Sequence, residues 1–201
     1  MKRGMAALTV IFVLLGGAVR ADDSDTQPRP GKVVKPAISP MAVGRSALGA
    51  SVSQWSNTPG EWGQGWAAYG KRVGSSFGGH LVKIAIQYPM ARLMHEEFGY
   101  HRSNKRGFKA RLLYALEAVV ITHKTTTEKA TVSTSELSGA FGAGLISRLW
   151  QPASVKGVLH GFASGGILLG ADAGGNVIRE FWPEIRHPDR HGESNQPASG
   201  Q

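Results

Sequence analysis

Residues that could do chemistry gather in three places along the chain. His95-Glu96-Glu97, with His101 shortly after, brings two imidazoles and two carboxylates close together in sequence. A helical zinc-protease motif needs its second histidine four residues after the first, and Gly99 stands there instead, so that arrangement fails. What is left is a weak His/Glu site of His95, Glu96 and His101 beside a cleft near Pro89, the enzymatic alternative for this chain. Asp172 is the second place, set among Gly170, Ala171, Ala173 and Gly174. An acid on a small-residue face is either exposed or buried with a partner, and Arg111 or Arg148 is the expected partner.

The third place is a run of cations. Arg102, Lys105, Arg106, Lys109 and Arg111 follow one another with no acid between them. Such a loop can hold the phosphates of an anionic surface. Tyr100 and Phe108 flank it but are not interleaved with the cations, as a base-stacking platform requires, so nucleic acid is not an expected partner. The chain has no phosphate-binding loop closed by Lys-Ser or Lys-Thr, and no evident Ser/His/Asp arrangement. The residues therefore point to no catalytic group, no bound metal and no cofactor, and to Arg102, Lys105, Arg106 and Lys109 as a binding loop for an anionic surface.

Helices must position these groups. Thr58-Pro59-Gly60-Glu61 reads as a capped helix start. Trp62, Trp66, Tyr69, Val73 and Phe77 then form an apolar stripe beside Gly70, Gly74 and Gly78. Pro89 predicts a kink or short break, and Gly99 a stop. A further helix carries Phe108, Leu112, Ala115, Leu116 and Val119. A threonine-rich loop or extended segment spans 123–132, and Ser133-Thr134-Ser135-Glu136 is a second capping box. Helices over 133–151 and 154–182 follow, each rich in small residues at four-residue spacing: Gly139-Ala143, Ala140-Gly144, Gly157-Gly161-Gly165 and Gly166-Gly170-Gly174. A glycine costs about 1 kcal/mol of helix propensity relative to alanine. Rows of them imply close helix crossings, expected at Gly70, Gly74 and Gly170 among others. The fold class is all-α, a single bundle of four to five helices with glycine-ladder contacts.

The first 21 residues resemble a secretory signal: Lys2 and Arg3, an apolar run from Met5 to Leu15, and Val19-Arg20-Ala21 before Asp22. Retention as a membrane anchor is the alternative. Residues 22–57, with Pro28, Pro30, Pro36 and Pro40, read as a disordered linker, 58–186 as the helical domain and 187–201 as a disordered tail. The 201-residue chain has 23 basic and 14 acidic residues. Without Lys2, Arg3 and Arg20 of the leader 20 basic residues remain, a net charge of about +6. In an exported protein that charge favours anionic envelope surfaces. There is no cysteine, which excludes a disulfide framework, thiolate chemistry and a lipidated cysteine anchor.

With those segments laid out, the chain resembles an uncharacterised group of secreted or envelope bacterial proteins. The resemblance rests on Trp66 to Phe77, Leu93-Met94-His95-Glu96, Tyr100-His101-Arg102-Ser103, Arg111 to Leu116, and Glu180-Phe181-Trp182-Pro183-Glu184-Ile185. It implies a secreted helical domain and carries over no catalytic residue. The expectation is an exported protein of the periplasm or outer envelope. It would be non-enzymatic and either membrane-peripheral or engaged with an envelope protein or a second copy of itself.

Overall fold

A computed structural model of the protein describes residues 30–186. The signal-like leader, residues 22–29 and the tail from 187 lie outside the described residues. The chain runs α1 (Pro30–Ala37), α2 (Pro40–Trp55), α3 (Trp66–Met94), α4 (Phe108–Glu117), β1 (Ile121–His123), β2 (Ala130–Val132), α5 (Thr134–Ile146) and α6 (Val158–Arg186). Single 3-10 turns lie at 60–62, 147–149 and 153–155. Five helices have ten residues or more, and the eight-residue α1 precedes them. The molecule is an all-α bundle with one small antiparallel hairpin, in which Ile121, Thr122 and His123 pair with Val132, Thr131 and Ala130.

The two longest helices, α3 and α6, are each 29 residues and scarcely meet. The short, small-residue α5 packs against both, α2 lies along α3, and α4 lies on α6. Side-chain volume explains that order. The buried core is mostly alanine (Ala42, Ala50, Ala68, Ala85, Ala91, Ala115, Ala140 and Ala143), so the helices sit close together. On α5 a Cβ added at Gly139 would lie 2.8 Å from Gln87 Cβ, and one at Gly142 would lie 2.7 Å from Ile86 Cδ1. On its other side, a Cβ at Gly144 would strike the Gly161 carbonyl oxygen and lie 2.7 Å from the Gly165 nitrogen. Gly161 and Gly165 are themselves buried against Leu145 and Phe141. The ladders of α5 and the first ladder of α6 are thus the crossing.

The other glycines depart from expectation. Gly70, Gly74, Gly166, Gly170 and Gly174 have nothing within 4 Å of an added Cβ, so the crossings expected at Gly70, Gly74 and Gly170 are not there. The second ladder of α6 is rotated about 100° from the first, which turns it away from α5.

Residues 30–55 correct the linker reading. Pro40 does not interrupt a helix but begins one: Ser39 caps α2, its Oγ accepting from the Ala42 N–H, and proline at the first helical position needs no partner. The next helix starts at Trp66 rather than at Thr58, and Gly60–Trp62 is only a 3-10 turn. Arg72, almost fully buried, organises the connection by donating to the carbonyls of Thr58, Pro59 and Gly63 and to the side chains of Gln54 and Asn57. Pro89 and Pro183 lie inside α3 and α6, so neither ends its helix. Tertiary packing outweighs the local preference at both. α3 stops at His95, in the left-handed region at φ 53°, four residues before Gly99.

Candidate functional site

Three sets of polar side chains stand out, and only one of them is the set read from the sequence. The first is an ionic cluster where α2, α3, α5 and α6 converge. His80, Lys83 and Gln87 lie at three- and four-residue steps, which puts them on one face of α3. Lys83 is buried, and its Nζ donates to Glu136 Oε1 of α5 and to Asp172 Oδ2 of α6. Gln87 Nε2 donates to Glu136 Oε2. Arg45 Nη2 of α2 donates to Asp172 Oδ1 at 3.0 Å and to the Ala171 carbonyl at 3.3 Å. Asp172 is therefore paired with Lys83 and Arg45. The expected partners, Arg111 and Arg148, are engaged elsewhere.

The two acids of this cluster diverge. Burial pushes the Glu136 carboxyl above its ordinary range, and the neighbouring Asp172 charge adds to that push, against the pull of Lys83. Burial also opposes ionisation of Asp172, but Lys83 and Arg45 together outweigh it and hold its carboxyl low. Asp172 stays ionised while Glu136 is the first of the pair to take a proton. Beside them, burial and then the Arg45 charge push the His80 imidazole down, favouring its neutral form.

The second set ties the 100–107 loop to the end of α6. Glu180 is fully buried. Its carboxylate accepts from Tyr100 Oη at 2.6 Å, Ser103 Oγ at 2.7 Å, the Ser103 N–H at 3.0 Å and Arg111 Nε at 2.8 Å. Burial raises the Glu180 carboxyl, but Arg111, Ser103 and Tyr100 more than offset it and bring it to about 2. Arg111 also donates to Glu184 at 2.7 Å and lies over the Phe181 ring, 4.6 Å from its centroid.

The third set is the His95-Glu96-His101 group, which the structure does not bring together as a site. Glu96 is buried and accepts from the N–H groups of Thr134 and Ser135 at 3.0 and 2.9 Å. It therefore satisfies the open N-terminus of α5, beside the Ser133 cap on Glu136. His95 is the exposed end of α3, and His101 is exposed with Glu97 at 3.9 Å. No group of three or more His, Cys, Asp or Glu among the described residues could hold a metal ion.

The predicted binding loop keeps its cations at the surface. Arg102, Lys105, Arg106 and Lys109 are all exposed. Arg102 lies 3.9 Å from Glu184, and Lys105 sits over the Tyr114 ring at 5.3 Å. The loop is not free of acids, because Glu180 and Glu184 reach Arg111 from α6. Self-repulsion in the loop is therefore partly relieved within the chain.

One apolar surface also needs an account. At 100° per residue Ala163, Ile167, Gly170, Ala171, Gly174, Ile178 and Ile185 share one side of α6. That side carries no charge, and Ile167, Ile178 and Ile185 are 72%, 56% and 64% exposed. On α2, Met41, Leu48, Val52 and Trp55 are likewise exposed at helical spacing. No helix among the described residues is long and apolar enough to cross a membrane.

Sequence reasoning missed Lys83, Glu136 and Arg45. A signal was present. Lys83 is the only Asp, Glu, Lys or Arg between Val73 and Ala91, and Asp172 the only one between Gly157 and Ile178. Two lone opposite charges in long apolar helices are natural partners. Compared with protein families, curated proteins and solved structures, the chain matches none.

Proposed function

We propose that this is an exported, non-enzymatic module of the cell envelope that works by helix docking, with the uncharged side of α6 packing against a second copy of the chain. The observation that supports it is the exposed face around Ile167, Gly170, Gly174 and Ile178. Its glycines weaken the helix by about 1 kcal/mol each relative to alanine, with no close contact among the described residues to offset the loss. Small residues at four-residue spacing favour close approach of another helix. A face without charge needs an uncharged partner, and an identical α6 related by a twofold axis supplies one. The uncharged side from Ala163 to Ile185 is about 33 Å long, so two such faces would cover on the order of 700 Å², the size of a weak, concentration-dependent interface.

In sedimentation equilibrium the purified full-length chain is expected to be a dimer at micromolar concentration. Ile167→Glu with Ile178→Glu is expected to make it a monomer with an unchanged helical circular-dichroism spectrum. A parent that stays monomeric to about 100 µM, or a dimer indifferent to both substitutions, overturns the reading.

The exposed cations Arg102, Lys105, Arg106 and Lys109 favour a second reading, membrane-peripheral docking on anionic lipid. Each contributes on the order of 1 kcal/mol near such a surface, screened by salt. Arg102→Ala, Lys105→Ala and Arg106→Ala together are expected to leave the thermal melt nearly unchanged and to weaken cosedimentation with anionic vesicles, not neutral ones. Equal anionic binding by parent and triple variant would return the loop to an ordinary solvated turn.

A further inference from the structure

A cavity of about 430 Å³ opens beside the ionic cluster, a size typical of small-molecule sites. Val33 and Met41 from α1 and α2, Ile84 of α3, and Phe98 and Val119 line its apolar part. Arg45, His80, Lys83, Glu97, Glu136, Asp172 and Arg179 line its polar part.

Donors and acceptors in that polar part do not balance. Each oxygen of Glu136 and Asp172 already accepts from Lys83, Gln87 or Arg45. Donors are left over. Lys83 has a third N–H, and the Nε and Nη1 of Arg45 make no hydrogen bond among the described residues. Arg179 has neither a hydrogen bond nor an ion pair among them, and His80 Nε2, donor or acceptor according to tautomer, is buried without a hydrogen-bond partner. Lys83 already bridges the two acids, so a second cation would meet no open carboxylate on them. An anion would meet two guanidinium groups and a lysine. Glu97, which faces His101 at 3.9 Å, is the one acid of the lining not bonded to these cations among the described residues.

We infer that this cavity binds a small organic anion, a carboxylate or phosphate head with an apolar body. The head lies toward Arg45 and Arg179, and the body lies against Ile84, Phe98 and Val119. Arg179 is exposed and has no partner among the described residues, which makes it the group whose removal costs binding without costing the fold. The binding is independent of the docking face on α6, whose exposed surface has no charge and cannot distinguish an anion from a neutral alcohol.

The test is isothermal titration of the full-length protein with octanoate, monooctyl phosphate and octan-1-ol. At least one anion is expected to bind tenfold or more tightly than octan-1-ol, with whichever anion is tighter identifying the head group. Arg179→Ala is expected to weaken that anion about tenfold, a difference of about 1.4 kcal/mol, with an unchanged thermal midpoint. Arg179→Lys is expected to recover part of the loss. The inference is overturned if octan-1-ol binds as well as both anions, or if Arg179→Ala binds like the parent. Absence of saturable heat for either anion up to about 5 mM overturns it too.

Discussion

Replacing Glu180 by alanine is expected to lower the unfolding free energy by about 3–5 kcal/mol, the range for removing one partner of a buried, hydrogen-bonded ion pair. The carboxylate is fully buried and accepts four hydrogen bonds, so its loss leaves Tyr100, Ser103 and Arg111 without their common acceptor. Glu184 still holds one side of Arg111, and Glu184→Ala, at a partly exposed acid, is expected to cost only about 1 kcal/mol. Urea denaturation of the parent and the two variants at neutral pH measures both effects. A Glu180→Ala protein within about 1 kcal/mol of the parent would mean that the 100–107 loop is not anchored through this carboxylate.

The same group sets a pH dependence. Its folded carboxyl lies at about 2, against an ordinary value of 4.5, so the folded state binds the proton less readily than the unfolded one. The stabilisation is complete above about 4.5 and is lost as pH falls toward 2. Glu136 acts oppositely, since its raised carboxyl favours the folded state as it takes up a proton. The comparison that isolates Glu180 is therefore parent against Glu180→Gln. Their stability difference is expected to narrow between pH 4.5 and 2. A gap that stays constant across that window would assign the acid sensitivity to other carboxylates.

What can be read from the chain alone follows the range of each interaction. The Ser133 cap of α5 is visible because cap and recipient are three residues apart. Ser39-Pro40 carries an equally local start signal, yet it is hidden by the neighbouring prolines, whose density suggests a linker. Glu96 shows the opposite limit. Its neighbours His95 and His101 suggest a metal site, whereas its actual role depends on the open N–H groups of Thr134 and Ser135, 38 and 39 residues away. Lys83 and Asp172, 89 residues apart, meet only because α5 holds α3 and α6 at a fixed separation. The basic loop is legible as a run of cations, but its acids, Glu180 and Glu184, arrive from the end of α6.

The glycine ladders show the same limit most directly, and they give the second large expected effect. Four-residue spacing identifies a small face but not its orientation. Gly161 and Gly165 look inward, whereas Gly166, Gly170 and Gly174, one residue out of step, do not. Gly144→Ala is expected to destabilise by about 3 kcal/mol or more, above the usual overpacking cost, because the new methyl meets main chain rather than a side chain that could rotate. The Gly161 carbonyl and the Gly165 nitrogen lie on that side, and moving them means separating α5 from α6. Gly170→Ala has open space around its Cβ and is expected to raise monomer stability by up to about 1 kcal/mol through helix propensity. Urea melts below the concentration at which the chain self-associates separate the two responses. A Gly144→Ala protein with the parent's midpoint would mean that α5 and α6 do not cross at Gly144, and a Gly170→Ala protein that melts earlier would place a close contact on the face that is open here.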